Sequence, residues 1–176
     1  MQSAVDAFLD AVRTHNPNTI VQTCNKLWKL TAIYNLTPED TMRLAPGLTE
    51  CLAYGPLHGR CSAAGVLAAM LLQHHAKSAL ASSPHAPDIA LCLLSLMDAS
   101  EPEAMRLACS AVANAALDSY LSITLLELNV INKLTNALAW APGQQPVPWP
   151  SVVDVRCIAV LAIQRCDHVP LGDVPL

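Results

Sequence analysis

One helical phrase recurs along the chain and limits what it can fold into. It reads Arg60-Cys-Ser-Ala-Ala-Gly-Val-Leu-Ala-Ala-Met70, then Arg106-Leu-Ala-Cys-Ser-Ala-Val-Ala-Asn-Ala-Ala116, and more faintly Arg156-Cys-Ile-Ala-Val-Leu-Ala-Ile-Gln-Arg-Cys166. The opening arginines lie 46 and then 50 residues apart. A period of that length belongs to stacked helical units, each too thin to bury its own apolar face and obliged to lean on its neighbours. The architecture expected from it is an all-α solenoid.

A diverged copy of the phrase, residues 19–33, carries the same apolar rhythm at helical spacing and contains Trp28. A second phrase alternates with the first, over 42–53, 88–97 and 123–138. From Met105 to Leu138 the two together resemble an armadillo repeat, whose pattern is a small-residue helix ending near Leu-x-Asn-Leu, a short polar turn, then a Glu-x-Gly-x-Ile-x-x-Leu-x-x-Leu-Leu helix pair. Ala111-Val-Ala-Asn114-Ala matches the first part, and Glu127-Leu-Asn129-Val-Ile131-Asn-Lys-Leu134-Thr-Asn-Ala-Leu138 the second. The resemblance implies a right-handed α-solenoid of about three to four armadillo-like repeats spanning residues 1–176 as a single domain. HEAT repeats share the period and the rhythm and stand as the neighbouring possibility.

Armadillo proteins often carry an asparagine where this chain has Asn114, in a row that grips the backbone of an extended peptide. The corresponding positions here hold Ala32, Ala68 and Gln164. The resemblance therefore implies the fold but not the peptide-gripping ladder. Trp28 falls at the family's tryptophan position. Arg60 and Arg106 stand in register at the start of successive small-residue helices, where they are expected to bind acids or carbonyls of an adjacent repeat or of a partner; Glu103 offers Arg106 an acid three residues away on its own helix.

Composition adds a clue about context. Hydrophobic residues make up 53% of the chain, charged residues 14%, and mean hydropathy is +0.35. A soluble domain usually has about a quarter of its residues charged, so part of the outer surface is expected to be covered. Neither end supplies a polar capping unit, which fits a subunit of a larger assembly or a piece of a longer chain. A membrane span is not expected, because the longest apolar run, Cys61 to Leu72, has 12 residues where a helical span takes roughly 20; that run reads as buried core. Residues 1–15 read as an amphipathic opening helix rather than a leader, since Asp6 and Asp10 interrupt what would have to be its apolar region.

Catalysis and cofactors find no support. There is no Gly-x-Ser-x-Gly elbow, phosphate loop or dinucleotide fingerprint. Glu101 and Glu103 flank Pro102, and Thr37-Pro38-Glu39-Asp40 has the same form, so these acids read as helix starts. The histidines near Cys61 lack the paired spacing of a zinc site. A net charge of −4, unclustered bases and 4% aromatics argue against nucleic acid as a partner. Seven cysteines, an odd count set mostly in apolar helices, suit a reducing compartment, cytoplasm or nucleus.

The expected function is a non-catalytic protein-interaction scaffold, a subunit within a multi-protein complex. The alternatives are an armadillo-type adaptor for an extended peptide and, from another class, a helical enzyme or ligand-binding bundle. Candidate protein-binding residues are Trp28, Arg60, Arg106, Asn114 and Trp149. Trp149 lies in the proline-rich loop 141–150, where it serves as an interface anchor or, with Trp140, covers the end of the stack. The tail 168–176 is expected to be extended.

Overall fold

The computed structural model of the chain describes residues 1–99, 101–139 and 160–165. All secondary structure among them is helical: α1 (Gln2–Arg13), α2 (Pro17–Thr31), α3 (Pro38–Tyr54), α4 (Leu57–Met70), α5 (His74–Ala81), α6 (Ala86–Leu96), α7 (Pro102–Ala115), α8 (Ser119–Glu127), α9 (Val130–Ala139), and a helical segment over 160–165. Loop 141–150, Trp140, Trp149 and tail 168–176 lie outside the described residues.

Local chemistry sets the starts. Asn16 accepts hydrogen bonds from the amides of Asn18 and Thr19 and is followed by Pro17; Asp118 caps α8 by accepting from Tyr120 and Leu121. At α3 the Thr37 hydroxyl accepts from the Asp40 amide at 3.1 Å and donates to the Asp40 carboxylate at 2.9 Å. These are side-chain substitutes for the missing intrahelical partners of a first turn. Glu101 and Glu103 likewise flank the start of α7, with Pro102 at its first position.

The helices form two rows. In front, α2, α4 and α7 lie side by side; behind, α1 packs on α3, α3 on α6, and α6 on α8. Each front helix also packs on the back helix before it, in the pairs α1–α2, α3–α4 and α6–α7. The small-residue phrase now has a cause. With α2 on one side, α7 on the other and α3 behind, α4 buries Ser62, Ala63, Ala64, Gly65, Val66, Leu67 and Met70 in succession, as a helix enclosed on several sides must. Larger leucines fill the space between rows: Leu27, Leu44, Leu48, Leu52, Leu67 and Leu93 are all buried. A charged link reinforces the back row, where Arg43 Nη2 of α3 donates to Asp6 of α1 at 2.6 Å. That hydrogen bond raises the Arg43 pKa.

Residues 123–138 are two helices, in keeping with the helix pair of the repeat pattern, and they break at Asn129, whose φ of 62° lies in the left-handed region. Asparagine tolerates that region better than most side chains. Helix α3 runs through Pro46, which is exposed, so the hydrogen bond it removes lies on the outer side. Helix α5 has no counterpart among the expected elements, since only Ala76 and Leu80 of its residues are buried and they leave little periodic signal. Leu72, the last residue of the apolar run read as core, is 68% exposed. The run ends one residue beyond the cap of α4, and the chain there has already turned outward.

No helix among the described residues is long and apolar enough to cross a membrane.

Candidate functional site

The front row carries a groove of about 420 Å³ across α2, α4 and α7. Its walls include Trp28, Ile33, Leu72, Arg106 and Asn114, and Ala68 and Ala69 form part of its surface. Of the sequence-derived candidates, the fold brings Trp28, Arg106 and Asn114 together here. Arg60 does not line it, and Trp149 lies outside the described residues.

Contacts between neighbouring helices fix the floor. The Trp28 indole of α2 lies flat on Gly65 of α4, so close that a β-carbon there would be 2.7 to 2.9 Å from its ring atoms. Between the same two helices, Ser62 Oγ donates to Asn25 Oδ1 at 2.9 Å. Asn114 Nδ2 of α7 donates to the Ala68 carbonyl of α4 at 2.9 Å, a bond spanning 46 residues. One repeat interval is thus closed by a single side chain. From the far side, Arg165 Nη1 donates to the Ala113 carbonyl at 2.8 Å and to Asn114 Oδ1 at 3.4 Å. Gln164, which holds the position corresponding to Asn114 in the next phrase, is exposed, and the residue after it reaches α7.

Arg106 forms a two-pronged pair with Glu103 on its own helix, Nε to Oε2 at 2.8 Å and Nη2 to Oε1 at 2.6 Å. The planar guanidinium matches a carboxylate in this geometry. Arg60 is half-buried on α4, and its Nε is buried with no hydrogen-bond partner among the described residues. Its charge opposes the burial that raises the pKa of Cys61 and Cys92.

One group of residues was missed in the sequence. Each front helix is followed, one position past its C-cap, by an exposed aliphatic side chain: Ile33 after Ala32, Leu72 after Leu71 and Leu117 after Ala116. Their exposures are 72%, 68% and 52%. A lone exposed leucine is unremarkable, but three recur at one structural position, and two of them, Ile33 and Leu72, give the groove an apolar edge. Aligning helix ends rather than helix starts would have found them. Gln73 holds the first of these turns in place: its amide nitrogen donates to the Thr31 and Tyr34 carbonyls at 2.8 and 3.2 Å, and its carbonyl accepts from the Leu36 amide at 2.7 Å. The turn bearing Ile33 is therefore fixed by hydrogen bonds within the chain.

Chemistry of other kinds is thinly represented. Among the described residues no group of three or more His, Cys, Asp or Glu is placed to hold a metal ion. His74 and His75 stack edge to face, their ring centres 5.6 Å apart. Cys24, Cys51 and Cys109 are buried, Cys61 and Cys92 half-buried, and all five are free; burial pushes the Cys109 thiol up to about 12.

No protein-family model matches the chain, and no curated protein does. Among solved structures it is similar to the crystal structure of an engineered protein from the Northeast Structural Genomics Consortium, with a TM-score of 0.73 at 14% identity over 94% of this chain. The chain spans 63% of the engineered protein's length. At that identity the likeness is one of fold alone.

Proposed function

We propose that the chain is an armadillo-like α-solenoid that acts as a non-catalytic protein-interaction scaffold, a subunit held within a larger assembly through the groove of its front row. The observation that carries this is the edge formed by Ile33 and Leu72, with Leu117 exposed at the equivalent position of α7, beside a floor already locked by its own hydrogen bonds. Aliphatic side chains left in water at equivalent positions gain free energy when covered, at about 25 cal/mol per Å² of apolar surface. A rigid floor spares the partner the cost of ordering it.

The two rows of paired helices support the solenoid, and Asn129 supports the armadillo pattern. It stands where the family has glycine and takes up the left-handed backbone that glycine would serve. Asn114 argues for the embedded subunit over the peptide adaptor: its amide is already committed to Ala68 within the chain, so it is not free to grip an extended peptide. Free core cysteines fit a reducing compartment, cytoplasm or nucleus.

The test is affinity capture from source cells with the wild type and with an Ile33→Asp/Leu72→Asp variant, each checked for its melting temperature. Loss of the wild type's partners at an unchanged melting temperature supports the proposal. Full retention of the same partners by the variant contradicts it.

A further inference from the structure

A second cleft, of about 190 Å³, lies away from the groove, between the turn that joins α1 to α2 and the turn that joins α3 to α4. His15 and Glu50 stand at it, paired at 3.2 Å, and Cys51 lies in its lining. The Cys51 sulfur is held at 3.4 Å from the Gly59 carbonyl, and it is in hydrogen-bond contact with the thiol of Cys24, which is fully buried on α2. Gly55 and Gly59 stand beside this sulfur, where a β-carbon on either would be in van der Waals contact with it, at 3.4 and 3.6 Å. The result is a pair of thiols on different helices, one facing a small cleft and the other sealed behind it.

We propose that Cys24 and Cys51 form an oxidisable dithiol, in which hydrogen peroxide entering the cleft converts Cys51 to a sulfenic acid and Cys24 resolves it to a disulfide joining α2 to α3.

Each step balances. The Cys51 thiolate attacks one peroxide oxygen; the S–O bond forms, the O–O bond breaks, and the departing hydroxide takes up a proton as water. The Cys24 sulfur then attacks the Cys51 sulfur, the S–S bond forms, and the hydroxide expelled from Cys51 leaves with the Cys24 proton as a second water. Two thiols and one peroxide give one disulfide and two waters; a dithiol reductant reverses the change. Size selects the oxidant, because a cleft holding only a few water-sized molecules admits peroxide and excludes the active site of an oxidising enzyme. The order of attack follows from access: Cys51 lines the cleft, whereas Cys24 is fully buried behind it, so peroxide meets Cys51 first. The contact with Cys24 also favours the Cys51 thiolate, which is the reactive form.

The experiment uses the full chain, reduced, desalted and treated with a small excess of hydrogen peroxide. Trypsin under non-reducing conditions releases Cys24 on peptide 14–26 and Cys51 on peptide 44–60. The expected result is those two peptides linked as the main product, an intact mass lower by about 2 Da for the two hydrogens lost, and restoration by dithiothreitol. In Cys24→Ser, dimedone should label Cys51 as the trapped sulfenic acid. Linkage of other cysteines in preference to this pair would overturn the proposal. So would recovery of Cys51 as an unmodified thiol after the half-buried Cys61 and Cys92 have been oxidised. The wild-type peptide map decides the matter even if the serine variant fails to fold.

Discussion

Gly65 and Trp28 meet at van der Waals limits: a β-carbon on the glycine would lie 2.7 Å from Cδ2 of the indole. The neighbour is a rigid ring rather than the tip of a flexible chain, and it forms part of the groove wall. In a solvent-exposed helix, Gly→Ala gains about 1 kcal/mol from helix propensity. Here overpacking costs about 1–3 kcal/mol, so Gly65→Ala should be net destabilising. The same substitution in a Trp28→Leu background should be neutral or stabilising. Urea unfolding of the four proteins measures the coupling; a stabilised Gly65→Ala with Trp28 intact would show that the indole does not lie on α4.

Asn114→Ala should lower stability by about 1 kcal/mol, the usual worth of one intramolecular hydrogen bond with its partner left unpaired. It should do so without any partner present, because the bond to Ala68 is internal. Equal stability of variant and wild type in urea, together with weakened partner capture, would point instead to a side chain that serves the partner.

How far the sequence discloses this arrangement depends on the kind of signal. The phrases opening at Arg60 and Arg106 are α4 and α7, and their 46-residue offset is realised in the bond from Asn114 to Ala68. Small residues in series mark a helix packed on several sides, and that signal is legible because burial acts on every turn. The apolar edge was not legible, since Leu72 closes a run of apolar residues and nothing in its composition distinguishes the last buried position from the first exposed one. Gln73 gave no signal at all: its three partners lie 37 to 42 residues earlier. The contact between Cys24 and Cys51 was equally hidden, as both read as small hydrophobes in separate helices.

Asn129 should prove the most replaceable by glycine and the least by a branched residue. At φ 62°, Asn129→Gly should be close to neutral, whereas Asn129→Val should cost about 1–2 kcal/mol for a side chain forced into the left-handed region. Thermal melts of the two variants check the sign. A valine variant as stable as the wild type would mean that α8 and α9 run on as one helix.

Cys109 links stability to alkaline pH. Its thiol titrates at about 12 in the folded chain against an ordinary value of 9.0. Between those values the unfolded chain loses a proton that the folded chain keeps, so folded-state stability falls as pH rises, by about 1.4 kcal/mol per unit above 9. Below pH 9 both states hold the proton and the effect vanishes. Cys109→Ala should therefore melt with a shallower decline from pH 8.5 to 10.5 than the wild type. Parallel declines would contradict the burial of this thiol.

If another polypeptide covers the front-row groove, it can be caught at the groove's edge. A photo-crosslinking benzoylphenylalanine placed at Leu72, on the edge of the groove, and separately at Leu91, exposed on α6 of the back row, reads contact at each face in extracts of the source cells. Discrete adducts are expected from position 72 that disappear when Ile33→Asp is added, and none above background from position 91. Adducts from position 91 alone, or equal adducts from both that ignore Ile33→Asp, would contradict a partner seated in the groove.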